Sequence, residues 1–261
     1  MEIRNRVKWL YQQRKPAFGI QIKLMTTTTV DVAGAVGLDY IRVDAYKYHT
    51  NPAEIASMVR TVYGYDSTPW VRCDLNFREI MLALDVGAQV ISCKVTDARD
   101  ARAAVAAVRC PPAGERETSR PWRFHDTPDD EYLRWAAEQI VLCVQLESRG
   151  AWENYRGIVK VPGIDIIEFG KHGISQALGI PIELSGYGPK MDPRLEEAQR
   201  AVIRAAQDAG KQCAQMDSLT PWGFERSLRL VEQGVYVIGI DSDANVLHRE
   251  YGKALRRLRG S

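Results

Sequence analysis

An eight-fold (β/α)8 barrel, one α/β domain over residues 1–261, is the fold class this sequence predicts, and three observations predict it. Short apolar, β-branched runs alternate with amphipathic segments along the whole chain, giving eight strand–helix units. Several of the helical segments stop at a glycine, as a helix does when its last turn closes through a left-handed residue. No glycine-rich fingerprint follows the first strand, so a doubly wound nucleotide-binding sheet is disfavoured, and eight units in 261 residues fit a closed barrel.

Taken in order, an amphipathic opening (Val7, Leu10, Tyr11) precedes a first strand, Ala17 to Ile22. Thr26 caps a helix through Val30 to Val36 that stops at Gly37, and Tyr40 to Asp44 is the second strand. Helix Ala53 to Tyr63, strand Trp70 to Cys73, helix Phe77 to Asp85 and strand Gln89 to Cys93 continue the alternation. Helix Ala98 to Val108 leads into a long polar excursion, Glu115 to Asp130, that carries Trp122, Phe124 and His125; a connector of that length is usually a lid, an interface arm or disordered, and its aromatics argue against disorder. Helix Asp129 to Glu138 then precedes strand Val141 to Glu147, and helix Gly150 to Ile158 precedes strand Ile164 to Phe169. A short helix opens in Gly170-Lys171-His172-Gly173 and ends at Gly179. Helix Pro193 to Ala209, strand Gln212 to Gln215, helix Pro221 to Glu232 and strand Val235 to Ile240 complete the barrel.

Composition excludes several classes. The net charge is +2 and the basic residues are scattered apart from Arg256-Arg257-Leu258-Arg259, which reads as a solvated helix end, so a nucleic-acid partner is not expected. No apolar run reaches membrane-span length, and the start lacks a signal peptide's apolar core. The five cysteines are odd in number and unclustered, three of them inside apolar runs, which suits packing in a reducing cytoplasm.

Candidate chemistry gathers at the C-terminal ends of the strands, where such barrels bind small molecules. Gln145 and Glu147 share a strand face, and a carboxylate there needs a cation, a proton or strong donors. Glu168 is unusual inside a strand and reads as the partner of a lysine. Cys73 and Cys93 read as packing. His125 and His248 read as surface residues, and Trp122, Phe124, Trp135 and Trp152 as core or interface aromatics.

These segments resemble the HpcH/HpaI aldolases, metal-dependent pyruvate aldolases. The likeness is carried by Gly37-Leu38-Asp39-Tyr40-Ile41-Arg42-Val43-Asp44, Pro69-Trp70-Val71-Arg72, Leu84-Asp85-Val86-Gly87-Ala88-Gln89, Pro111-Pro112-Ala113-Gly114, Val144-Gln145-Leu146-Glu147 and Val161-Pro162-Gly163-Ile164-Asp165. It implies a barrel that exchanges its C-terminal helix between subunits and assembles as a trimer or hexamer. It also implies that Arg72 holds a 2-oxo acid carboxylate, that Gln145 lies beside a metal site, that Glu147 is one of two acidic metal ligands, and that Asp85 pairs with a catalytic histidine. Two of those parts are changed. The second ligand falls on Gly173, and the histidine falls on Lys47, with His49 two residues further on.

One carboxylate plus waters is a poor site for Mg or Mn, so no cofactor is the expectation, with a divalent metal on Glu147 as the other possibility. Lys47, Arg72, Lys94 and Lys171 would then line one cationic mouth for a small anionic carbonyl substrate, beside His172. Lys47 reads in three ways: an ion pair with Asp85, a general acid and base, or a Schiff-base amine. Glu147 reads as a structural carboxylate or as a general base with a pKa raised by burial. The functional expectation is carbon–carbon bond making or breaking at a 2-oxo acid. The alternatives are a metal-free Pictet–Spengler condensation of an aromatic amino acid or amine with an aldehyde or oxo acid, and a non-catalytic anion-binding barrel.

Overall fold

The computed structural model describes residues 3–47 and 51–260. Eight parallel strands close on themselves in sequence order: β1 (Ala17–Ile22), β2 (Tyr40–Asp44), β3 (Thr68–Arg72), β4 (Val90–Lys94), β5 (Val141–Leu146), β6 (Ile166–Phe169), β7 (Gln212–Met216) and β8 (Val237–Ser242), with β8 pairing back onto β1. The helices are α1 (Arg6–Gln12), α2 (Thr27–Ala35), α3 (Pro52–Val62), α4 (Phe77–Asp85), α5 (Ala98–Val108), α6 (Asp129–Gln139), α7 (Arg149–Ile158), α8 (Lys171–Ala177), α9 (Pro193–Asp208), α10 (Pro221–Glu232) and α11 (Asp243–Arg259). The first two strands have the predicted bounds, and Gly37 ends the first βα unit with φ of +88°. Among the described residues no helix is long and apolar enough to cross a membrane.

Alternation explains the layering. Outward-facing strand residues such as Val71, Ile91, Leu142 and Ile167 pack under the helices. Inward-facing ones stack in layers along the barrel axis. The lowest layer joins Tyr40, Trp70, Val90 and Val141 to Val7 and Leu10, so α1 closes the N-terminal end of the barrel. Gly19 belongs there because a Cβ would lie 2.4 Å from the Tyr40 ring. Trp70 keeps its indole N–H satisfied, donating to Ser92 Oγ at 2.8 Å.

The long excursion lies at this closed end. Helices run antiparallel to the strands, so α5 delivers the chain to the end opposite the mouth. Arg109 donates to the Ile140 carbonyl at 2.7 Å, Arg123 stacks on Tyr63 at 3.9 Å, and Trp135 donates to the Ile3 carbonyl at 2.6 Å. The segment therefore does not cover the mouth of its own barrel, and Phe124 and Trp135 pack against Tyr132 while Trp122 lies exposed on His125.

Candidate active site

Polar residues spaced two apart turn one face of four strands into the lining of the barrel mouth: Gln21 and Lys23, Arg42 and Asp44, Gln145 and Glu147, Gln215 and Asp217. Below the opening, six buried side chains close a ring. Arg72 Nε donates to Gln145 Oε1 at 2.7 Å, and Gln145 Nε2 donates to Glu168 Oε2 at 2.9 Å. Arg42 Nη1 meets the same Glu168 oxygen at 2.7 Å and its Nη2 donates to Gln21 Oε1 at 2.7 Å. Gln21 Nε2 donates to Asp44, and Arg72 Nη1 returns to Asp44 Oδ1 at 3.2 Å. Two guanidiniums, two carboxylates and two amides thus pair with no net charge, which is how charges become tolerable at this depth, with Arg42 Nε left unpartnered. Glu168 pairs with Arg42 rather than with the expected lysine, and the pairing raises the Arg42 pKa against the effect of its burial.

Above the ring, the Glu147 carboxylate receives Lys94 Nζ at 2.7 Å and Arg72 Nη2 at 3.1 Å on one oxygen, Oε2. Both cations lie over the Tyr46 ring, at 4.8 and 4.6 Å. Burial alone would raise the Glu147 pKa, but the Lys94 hydrogen bond and the charges of Arg72, Lys94 and Lys47 outweigh it and hold the carboxyl below its usual value. The raised-pKa base of the sequence reading is therefore corrected: Glu147 is a carboxylate at neutral pH. Its folded pKa lies below the unfolded one, so its stabilisation is present above the unfolded value of about 4.3 and is lost as pH falls through the folded value. Lys94→Met removes the hydrogen bond, so the variant should lose less stability than the parent on acidification, as Glu147→Gln should. Urea midpoints measured from neutral to acid pH check this, and parallel curves for the three proteins would refute it.

Of the other predicted cations, Lys47 and Lys171 line the same cavity as Arg72 and Glu147. Lys171 is buried in the wall of that cavity, bound to Asp217 at 2.9 Å and to the Gly186 carbonyl at 3.4 Å, and Asp217 also carries Arg226. Burial lowers its pKa, and Asp217 opposes the shift. His172 faces along α8, its Nε2 3.2 Å from Gln176 Nε2. Lys47 is exposed at the end of the β2 segment, whereas Asp85 ends α4 at the closed end of the barrel, 3.8 Å from the fully buried Arg116; the expected Lys47–Asp85 pair does not form. His49 lies outside the described residues. Cys73 and Cys93 are buried thiols with raised pKa, Cys93 pushed up to about 12 by burial, consistent with packing.

Sequence reasoning missed Lys23, Tyr46 and Tyr187. Lys23 is half-buried just beyond β1 and lines the mouth with Arg72, Glu147 and Tyr187 around a cavity of about 100 Å³. Its spacing of two from Gln21 was the available signal. Tyr187, 48% exposed, comes from the loop before α9 and lines the cavity, where local desolvation and then Glu147 raise its phenol pKa, so it stays protonated at neutral pH.

The donor set does not fit a hard divalent ion. The one retained carboxylate spends Oε2 on two protein cations, and no group of three or more ligating side chains gathers among the described residues. At Gly173, where the resemblance would put the second ligand, a Cβ would lie 2.0 Å from the Glu147 carbonyl oxygen. The backbone of α8 has closed against β5 where a ligand side chain would need room.

A closed parallel barrel with an acid–base cluster at the C-terminal strand ends defines an enzyme of the carbon–carbon lyase and aldolase class when set beside its relatives. The chain belongs to the HpcH/HpaI aldolase/citrate lyase family, whose sequence profile matches residues 39–243. It is 28% identical over 253 residues to a 4-hydroxy-2-oxo-heptane-1,7-dioate aldolase of Salmonella paratyphi C, covering 95% of this chain and 92% of that one. The fold superposes on an HpcH/HpaI aldolase of Desulfitobacterium hafniense with a TM-score of 0.87 at 23% identity, over 97% and 96% of the two chains. It superposes on macrophomate synthase with 0.86 at 24%, over 99% and 89%.

Proposed function

We propose that this enzyme makes or breaks a carbon–carbon bond next to the carbonyl of a small 2-oxo acid, and that it does so without the divalent ion its relatives imply. The observation that carries the reading is Glu147, held ionised by Lys94 and Arg72 at the edge of a cavity sized for a few heavy atoms. Arg72 gives Nε to Gln145, Nη1 to both Asp44 oxygens and Nη2 to Glu147, leaving an Nη2 N–H for an incoming carboxylate. Glu147 Oε1 is free of the cations that hold Oε2, and a carboxylate is a competent acceptor of a proton from the carbon beside the ketone once the site is closed from water. The relatives' named substrate, a 4-hydroxy-2-oxo dioate, is of the same chemical class.

The homo-oligomer is supported by α11. Its first turns stay on their own barrel, with Arg249 on Asp241 at 2.7 Å, while Leu247, Tyr251, Leu255 and Leu258 form an exposed apolar stripe.

The test is exchange of the C3 protons of pyruvate in deuterated buffer, followed by NMR with and without a chelator. Exchange that survives the chelator is expected. Exchange abolished by it and restored by Mg or Mn would overturn the metal-free reading, and no exchange under either condition would overturn enolate chemistry on pyruvate.

A further inference from the structure

We propose that Lys23 is the covalent catalytic residue of this site: its Nζ condenses with the ketone carbon of the bound 2-oxo acid to form an iminium, which takes over the electron-withdrawing role of a metal ion. The inference rests on the 2-oxo acid reading above and names its chemistry.

Partner accounting leads to Lys23. Each other buried or half-buried cation of the mouth has a carboxylate within salt-bridge range: Arg42 has Glu168, Arg72 has Asp44 and Glu147, Lys94 has Glu147, and Lys171 has Asp217. Among the described residues Lys23 and Lys47 have none, and Lys47 is exposed. The acids closest to Lys23 are committed elsewhere. Asp243 accepts the Lys23 and Ala244 amides on Oδ1 and the Leu24 amide on Oδ2, while Asp241 holds the Leu219 and Ser242 amides and Arg249. Asp44 spends its oxygens on Gln21 and Arg72. Asp243 thus anchors the backbone that carries Lys23, and none of the three carboxylates comes within salt-bridge range of its amine. Met25, two residues on, holds φ at +42°, a strained turn of the kind kept where surrounding structure fixes a functional loop.

An amine must be unprotonated to attack a carbonyl. Burial lowers the Lys23 pKa; Asp44 opposes this, Lys47 adds to it, and Asp241 and Asp243 oppose it. The chemistry then closes within the cavity. The Nζ lone pair bonds to C2 and the carbonyl π pair moves to oxygen; that oxygen takes one proton from the nitrogen and a second from solvent and leaves as water, giving C=NH⁺. Glu147 takes a proton from C3, and the C–H pair moves into the new enamine, ready to join an acceptor carbonyl. Arg72 holds the carboxylate throughout. Every atom comes from the oxo acid, the amine and water.

The decisive experiment is reductive trapping: the full-length protein is incubated with pyruvate and cyanoborohydride, then digested and mapped by mass spectrometry, with the C3 exchange assay run in parallel. One reduced pyruvate adduct on Lys23 is expected, absent in Lys23→Met. Lys23→Arg, which keeps the charge and cannot condense, should fold with an unchanged urea midpoint and show exchange at background. Wild-type exchange with no adduct, or with the adduct on another lysine, overturns the assignment of Lys23 and leaves the 2-oxo acid reading standing. Neither exchange nor adduct overturns both.

Discussion

Arg42→Met should lower the stability of this protein by about 3–5 kcal/mol, the range found when one partner of a buried ion pair is removed. Glu168 would keep only the Gln145 amide and a weak contact with Cys143 Sγ at 3.9 Å, inside a barrel where its carboxylate is almost wholly shielded from water. Gln21 would lose a donor to its Oε1 as well. Adding Glu168→Met should recover part of the loss, because the uncompensated charge goes with it, but not all, since Gln21 and Gln145 each keep one partner and lose the other, and a buried polar atom left unpaired costs about 1–3 kcal/mol. Urea unfolding of the parent, both single variants and the double variant gives the coupling directly. A single-variant loss below about 1 kcal/mol would show that the ring is not closed in solution.

Gly173→Asp restores the family's second acidic ligand in sequence and should not restore it in space. The added Cβ would meet the Glu147 carbonyl oxygen at 2.0 Å and its carbon at 2.6 Å, atoms held by the end of β5. Gly170 is as tightly placed, 2.6 Å from Glu147 Cγ, so α8 cannot slide back without a second collision. Overpacking of this kind costs about 1–3 kcal/mol, or more where backbone must move, and the new carboxylate adds repulsion beside Glu147. Gly173→Ala separates the two effects. In an unobstructed helix it would gain up to about 1 kcal/mol; here it should destabilise. Thermal unfolding of both variants, with and without Mg or Mn, is the measurement, and a stabilised alanine variant or a metal-stabilised aspartate variant would refute the packing argument.

The barrel was legible because its signal is repeated: every unit supplies an apolar run, an amphipathic run and a stop, and errors at single boundaries do not change the order. β3 begins at Thr68 rather than Trp70 and β8 at Val237 rather than Val235, small shifts of the kind expected at strand ends. The site was half legible. Arg72, Gln145, Glu147 and Lys94 do meet. Lys171 lines the same cavity with its amine on Asp217, whereas His172 turns along α8 to Gln176, because adjacency in sequence says nothing of which side of a helix start faces the axis. Asp85 was misplaced for a related reason: a helix C-terminus in this fold returns to the end opposite the strand C-termini. The ring was overlooked because Gln21, Arg42 and Asp44 each look ordinary alone, and only closure of the barrel brings β1, β2, β3, β5 and β6 to a common level.

The closed ring also divides the molecule by how freely its residues can drift. Each member answers to two neighbours on other strands, so a lone substitution there is penalised until a second one compensates. Lys23, Lys47 and Lys94 stand on strand ends and turns above it, and each can be exchanged without unsettling the floor. A lineage, or a randomised library, could therefore walk through many reagents at the rim while the interior stays frozen, which makes those three positions the place to look for new reactions in this barrel.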